Sequence, residues 1–296
     1  MKAQQTRSET SGTGEGEEGP WCLPCGHVVF RKDQVHYCTY IHLKELEAVY
    51  GRPIEREPIH PDERFFVYVH QVCELKFMQM LVDIDRAIHA IEESDYASAQ
   101  LLLDRLTLLC RNVVDTILEL KTMPKEVFLD ILRPHLAPAS GAESINYRRL
   151  EIRSGTALDD PFYTDHHGTI YRYREYLARM PAEGPRDPKT CWWLDEFDTL
   201  SALPSLRTAF EGMLLRHGCS YEQLKGQISE INDLTSIGRK LFMYDKAFER
   251  LRGAHLGVAV HFLGSLPGTG HTPGAPYLKS VLETHHLFPK LREVFV

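Results

Sequence analysis

Two histidines, His255 and His261, sit in the apolar stretch "HLGVAVHFLGSL", and a third, His70, sits in "FFVYVHQVCEL". An imidazole can hold a metal, move a proton or satisfy one hydrogen bond in a core. Six positions on a regular helix amount to about 600° of rotation, so His255 and His261 point about 120° apart and cannot easily share one metal ion. One of them alone would suit a haem iron, which needs a single proximal histidine and an open distal side. His70 lies on the apolar stripe of its own segment, where a core histidine with one hydrogen bond is the ordinary reading.

The stretch is followed by "PGTGHTPG" (267–274), whose backbone N–H groups, with Thr269, could cradle haem propionates or a zwitterion. A plain turn between helices fits it as well, and without a Walker lysine it is no nucleotide loop. Arg148 and Arg149 are adjacent, so on a helix they diverge by about 100°: one can face inward and grip a carboxylate while the other is solvated. The sequence has no G-x-S-x-G elbow and no H-E-x-x-H helix, and His166-His167 and His285-His286 lack companion ligands at a recognisable spacing. Hydrolase and zinc-enzyme readings have little support. "CLPCGH" (Cys22, Cys25, His27) falls one residue off a C-x-x-C-H haem attachment, and His36 and Cys38 follow at the wrong separation for zinc. A tight turn with free thiols is the expectation, since seven scattered cysteines in a chain of this size read as reduced.

Positioning these groups falls to helices. Phe66, His70, Cys73, Phe77, Leu81, Ile84, Ile88 and Ile91 recur at helical spacing between Pro61 and Ser94. A second helix is expected from Asp95 to about Met123, antiparallel to the first because the connection is short. Further helices are expected from Ser144, over 203–217, from Tyr221 to about Leu263 with a break near Gly238 or Gly253, and over "YLKSVLETHHLFPKLREVF". No β alternation is sustained, so the fold class expected is all-α, a helical bundle. Residues 1–20 read as a disordered tail, 21–296 as a single domain, and 155–200 as an irregular, lid-like insertion. With 296 residues, a net charge of -7 and 25% charged residues, the chain carries no electrostatic footprint for nucleic acid. It offers neither a secretory signal nor a membrane-length apolar run, so a cytoplasmic location is expected.

In order along the chain, "YCTYIHLKEL" (37–46), "FFVYVHQVCEL" (65–75), "SGAESINYRRLE" (140–151), "HLGVAVHFLGSLPGTGHTPGAPYL" (255–278) and "LFPKL" resemble the tryptophan 2,3-dioxygenase superfamily of histidine-ligated haem aromatic oxygenases. The resemblance covers roughly 37–151 and 240–291. It implies haem b as cofactor, with His255 the axial ligand of the iron and His261 a packing or supporting residue. It implies His70 as the catalytic distal histidine, Phe66 as a wall of the pocket, Arg148 as clamp on an amino-acid carboxylate, and Thr269 as a contact to the ammonium or the haem edge. His271 beside that loop becomes a candidate substrate contact. It also implies a homo-oligomer, tetramer or dimer, in which Tyr37 and Tyr40 reach a neighbouring subunit's site.

Several positions depart from the family pattern: Val72 and Cys73 after the His-Gln pair, Lys76 in place of a tryptophan, Ala254 before the proximal histidine, Leu266-Pro267 before the loop, and His271 in place of a glycine. Pocket changes alter selectivity more readily than fold. With these departures the chain most resembles the haem-dependent L-tyrosine 3-hydroxylase branch of the superfamily, and that resemblance implies 3-hydroxylation of L-tyrosine to L-DOPA in antibiotic or other natural-product biosynthesis, with hydrogen peroxide or O2 plus a reductant. The alternative is tryptophan 2,3-dioxygenation giving N-formylkynurenine. A haem carrier without turnover is a third reading, disfavoured because a carrier needs no carboxylate clamp.

Overall fold

The computed structural model describes residues 18–22, 28–31, 36–52, 56–136, 141–165, 167–179, 192–227, 232–268 and 274–296. The chain divides into two compact units, Met1–Arg52 and Pro53–Val296. In the first, β1 (Glu18–Cys22) pairs antiparallel with β2 (Val28–Arg31), and the short helices α1 (Tyr37–Tyr40) and α2 (Leu43–Val49) follow. Residues 18–20, expected in a disordered tail, therefore belong to a strand. Cys38, on α1, is disulfide-bonded, which corrects the expectation of reduced thiols throughout. Cys73, Cys110 and Cys219 are free. Residues 23–27 of "CLPCGH" lie outside the described residues.

The second unit is helical. α3 (Pro61–Glu92) starts at His60, whose ring accepts the Asp62 N–H, with Pro61 in the first turn, where no N–H is needed. It ends at Ser94, which takes a left-handed φ of 63° so that Asp95 can cap α4 (Tyr96–Leu118). The two helices run antiparallel. Lys76 on α3 donates to the Asn112 carbonyl at 2.9 Å, and Arg105 on α4 reaches back to Asp83 at 3.1 Å. After a 3-10 turn (Glu119–Thr122) the chain forms six residues of π-helix, Val127–Leu132, and then α5 (Arg133–Leu136). α6 (Ile145–Ser154) is capped by Ser144 as the sequence suggests.

The segment expected to be irregular holds a hairpin of β3 (Pro161–Thr164) and β4 (Ile170–Arg172), then α7 (Tyr173–Arg179) and α8 (Trp192–Ser201). Phe162, Tyr173, Leu177 and Phe197 are fully buried there, with Tyr277 beside them, so the segment has a small core of its own. α9 (Leu206–Arg216) and α10 (Tyr221–Gly226) precede α11 (Asp233–Leu263). The break expected near Gly238 or Gly253 falls instead before Asn232, whose side chain caps α11 in a reciprocal box with Thr235. Gly238 lies inside the helix for a packing reason: a Cβ there would stand 3.1 Å from Phe210 and 3.3 Å from Phe295. The last expected helix is two, α12 (Ala275–Thr284) and α13 (Pro289–Phe295). The main core joins α3, α4, α9 and α11 through residues such as Ile84, Leu103, Phe210 and Phe248. Among the described residues no helix is long and apolar enough to cross a membrane.

Candidate active site

A cavity of about 510 Å³ opens between α3, α6, α11 and α12. α3 presents Phe66, Val69, His70, Cys73, Glu74 and Phe77 to it, and α11 presents Leu251, Arg252, His255, Val258, Ala259 and Phe262. The two sets share one spacing, i, i+3 or i+1, i+4, i+7, i+8 and i+11, which is a single helical stripe. His70 and His255 thus come from facing stripes of the two long helices. His261 is off the stripe and solvent-exposed, its ring edge-on to Phe262 at 4.8 Å, so the packing or supporting role expected for it is corrected to a surface position.

Neither ring nitrogen of His255 has a hydrogen-bond partner among the described residues. Burial, reinforced by the neighbouring His70 and Arg148, lowers its pKa to about 4. A neutral imidazole with a free nitrogen in an apolar cavity is the form that binds a metal. His70 places Nδ1 2.7 Å from the Phe66 carbonyl oxygen, and its ring lies 4.4 Å from the Phe66 ring. Burial lowers its pKa as well, against that hydrogen bond and the Glu74 charge. Phe66 in turn meets Phe128 at 6.0 Å, and Phe128 meets Phe262 at 4.7 Å, so three rings from α3, the π-helix and α11 close one side of the cavity. Cys73 lines the cavity with its thiol pushed up to about 11 by burial, hence unreactive.

Arg148 is 6% exposed and also lines the cavity. Its Nη1 donates to Glu151 at 2.5 Å, its guanidinium lies 4.9 Å from the Tyr147 ring and 5.3 Å from that of Tyr176, and its Nε has no partner. Burial opposes the charge, but Glu151 together with Tyr176, Tyr173 and Tyr277 outweighs it and keeps the guanidinium protonated. Arg149 points elsewhere: rather than being solvated it binds Glu196 at 2.6 Å and Asn146 at 2.9 Å, tying α6 to α8. Arg252 donates to Glu151 at 2.8 Å, and Glu74 accepts from Ser144 and Asn146.

The loop that carries Thr269 and His271 is closed at its base. Gly274, at φ +70°, lies so close that a Cβ would stand 2.8 Å from the Leu266 oxygen, and Arg133 donates to the Pro267 carbonyl at 2.7 Å. Thr269 and His271 themselves lie outside the described residues. Tyr37 and Tyr40 belong to the Met1–Arg52 unit, where α1 leaves them 76% and 74% exposed. Of the positions that depart from the family pattern, Cys73 is on the cavity wall, whereas Val72 and Lys76 are not among its lining residues. Lys76 instead spans to Asn112 and Thr116 on α4.

Sequence reasoning missed Glu151, Arg252, Phe128 and Tyr173. Glu151 and Arg252 each sit three positions from a residue already singled out, Arg148 and His255, so helical phase alone could have found them. Tyr173 lies in the segment read as irregular and carried no local signal.

The fold and cavity define a helical protein whose internal pocket is flanked by two histidines and one underpartnered arginine. Residues 24–175 match the family model described as tryptophan 2,3-dioxygenase. The tryptophan 2,3-dioxygenase of Nocardioides sp. is 30% identical over 268 residues, covering 86% of this chain and 91% of that protein. Those of Pseudomonas aeruginosa and Herpetosiphon aurantiacus are 26% and 27% identical over 269 and 267 residues, covering 88% and 86% of this chain and 89% and 95% of theirs. The chain belongs to the tryptophan 2,3-dioxygenase family, whose enzymes are haem-dependent oxidoreductases.

The residues fit that cofactor. An iron carried by a macrocycle needs one protein ligand, and His255 offers a buried, neutral imidazole on the cavity wall.

Proposed function

We propose that the protein adds both atoms of dioxygen across the indole C2–C3 bond of tryptophan or a close derivative, giving an N-formylkynurenine. The comparisons favour this alternative over tyrosine 3-hydroxylation, since the relatives named above are tryptophan 2,3-dioxygenases. Two of the departures that suggested a phenol substrate, Val72 and Lys76, lose force too, because they do not line the cavity. The observation that carries the reading is Arg148: a buried guanidinium with an unpaired Nε at the wall of an apolar pocket is suited to an amino acid's carboxylate.

His255 would hold the haem iron, and the haem, when bound, would supply the redox chemistry that activates dioxygen. Arg148 binds the substrate carboxylate and so fixes which way the aromatic ring enters. His70, protonated on Nδ1, offers Nε2 as acceptor for the indole N–H and holds that proton in place during oxygen transfer. Phe66 and Phe128 stack against the ring and exclude water. Thr269 and His271 contact the ammonium end from the 268–274 loop. Tyr37 and Tyr40, exposed on α1, serve a neighbouring subunit, and the exposed apolar residues Leu75, Met78, Val82, Leu101 and Leu108 of α3 and α4 supply the surface of a homo-oligomer.

The test is mass spectrometry of products from haem-loaded protein given L-tryptophan or L-tyrosine under isotopically labelled dioxygen. Two labelled atoms on tryptophan support the reading. A single oxygen added to tyrosine, with tryptophan untouched, overturns it.

A further inference from the structure

Glu151 is fully buried and accepts from three stretches of chain. Arg148 on its own helix donates to Oε2, Arg252 on α11 donates to Oε1 at 2.8 Å, and the Tyr173 hydroxyl at the start of α7 donates to Oε2 at 2.8 Å. Two guanidiniums facing one carboxylate leave a unit of positive charge unneutralised within this group. Arg148 is the less fully hydrogen-bonded of the two. Arg252 also reaches the His285 carbonyl at 2.9 Å and the Tyr147 hydroxyl at 3.3 Å, whereas Arg148 bonds through Nη1 alone.

Tyr173 is held firmly. Its N–H donates to the Asp160 carbonyl at 3.0 Å, its ring lies 4.6 Å from that of Phe162, and it is parallel to His285 at 6.4 Å. Burial, with the Glu151 charge beside it, keeps its pKa well above the ordinary phenol value, so it stays a donor.

We infer that Tyr173 is a positioning residue for the carboxylate clamp, an inference that rests on reading Arg148 as that clamp. Its hydroxyl shares Oε2 of Glu151 with Arg148 and so limits how far the internal carboxylate captures the guanidinium, leaving Nε and Nη2 for the substrate. With phenylalanine at 173, Oε2 belongs to Arg148 alone, the internal pair tightens, and Glu151 competes with the substrate carboxylate. A residue that merely packs would affect every ligand alike.

Glu151→Gln strips the neutralising charge from two buried guanidiniums and is expected to unfold the protein, so Tyr173→Phe is the variant to use. Haem-loaded wild type and Tyr173→Phe are titrated with indole-3-propionate, which has the carboxylate and no ammonium, and with tryptamine, which has the reverse, following the haem absorption band. Affinity for indole-3-propionate is expected to fall about three- to tenfold and that for tryptamine by less than about twofold, as one shared hydrogen bond to a charged group warrants. The KM for L-tryptophan should rise by the same factor, with kcat changing less. Any other pattern, including equal loss for both ligands or loss for neither, overturns the inference. Arg148→Ala distinguishes the failures: if it leaves indole-3-propionate binding unchanged, the clamp itself is wrong; if it weakens binding while Tyr173→Phe does not, only the positioning role falls.

Discussion

His70 Nδ1 lies 2.7 Å from the carbonyl oxygen of Phe66, one turn earlier on α3. A carbonyl only accepts, so Nδ1 carries the proton and Nε2 keeps its lone pair. A substrate that donates an N–H suits this tautomer, and one that cannot donate does not. L-Tryptophan should therefore exceed 1-methyl-L-tryptophan in kcat/KM by at least about tenfold, the worth of one good hydrogen bond to a buried acceptor. In His70→Ala the ratio should approach one. An unchanged ratio in that variant would remove His70 from substrate recognition.

Arg148 has a second use to lose besides its charge, the planar fork that meets a carboxylate through two N–H groups. Arg148→Ala is expected to raise the KM for L-tryptophan about 100-fold, and Arg148→Lys by an intermediate factor. Glu151 keeps Arg252 and Tyr173 as partners, so the alanine variant should still fold. Steady-state kinetics with a thermal melt of each variant check both statements.

The π-helix at Val127–Leu132 puts Phe128 against Phe66 and Phe262 on the cavity wall, 8% exposed. π-turns are rare and recur at functional sites, where they re-aim a side chain. Phe128→Ala should enlarge the pocket, improve ring-substituted tryptophans relative to tryptophan, and cost about 3–5 kcal/mol of stability. Competition between tryptophan and its ring-substituted analogues reads the selectivity, and denaturant titration reads the cost.

The buried His285 gives the fold a pH dependence. Its Nε2 meets the Thr156 hydroxyl at 2.9 Å, and burial, with the Arg252 and Arg207 charges, holds its pKa well below 6.5. The unfolded chain takes up a proton near 6.5 and the folded one does not, so stability falls as pH drops below about 6.5, by about 1 kcal/mol per pH unit until the folded pKa is reached. In His285→Gln, whose amide can keep the Thr156 contact, the loss between pH 6.5 and 5 should be shallower. Parallel slopes for the two proteins would assign the acid sensitivity to other groups.

Much of this was legible in the sequence because helical phase is a local property. The stripe from Phe66 to Ile91 gave α3 with His70 already on the inward face, and the six-residue spacing already separated His255 from His261. Ser144 and Asp95 marked helix starts correctly, since caps are read within four residues. What failed was set at a distance. Gly238 reads locally as a breaker, yet Phe210 and Phe295 require it to be small. Tyr173 looks unremarkable beside its neighbours, and its partner Glu151 lies on another element. The disulfide at Cys38 was missed because chain size and an odd cysteine count speak only of the average cysteine.

The central claim is that iron is held from the His255 stripe of α11, within the cavity that His70 enters from α3. The most direct measurement is the absorption spectrum and haem retention of reconstituted wild type, His255→Ala and His261→Ala after gel filtration. His261→Ala is expected to keep the histidine-ligated spectrum, and His255→Ala to lose it and shed its haem. A histidine-ligated spectrum persisting in His255→Ala, or vanishing in His261→Ala, would contradict the account.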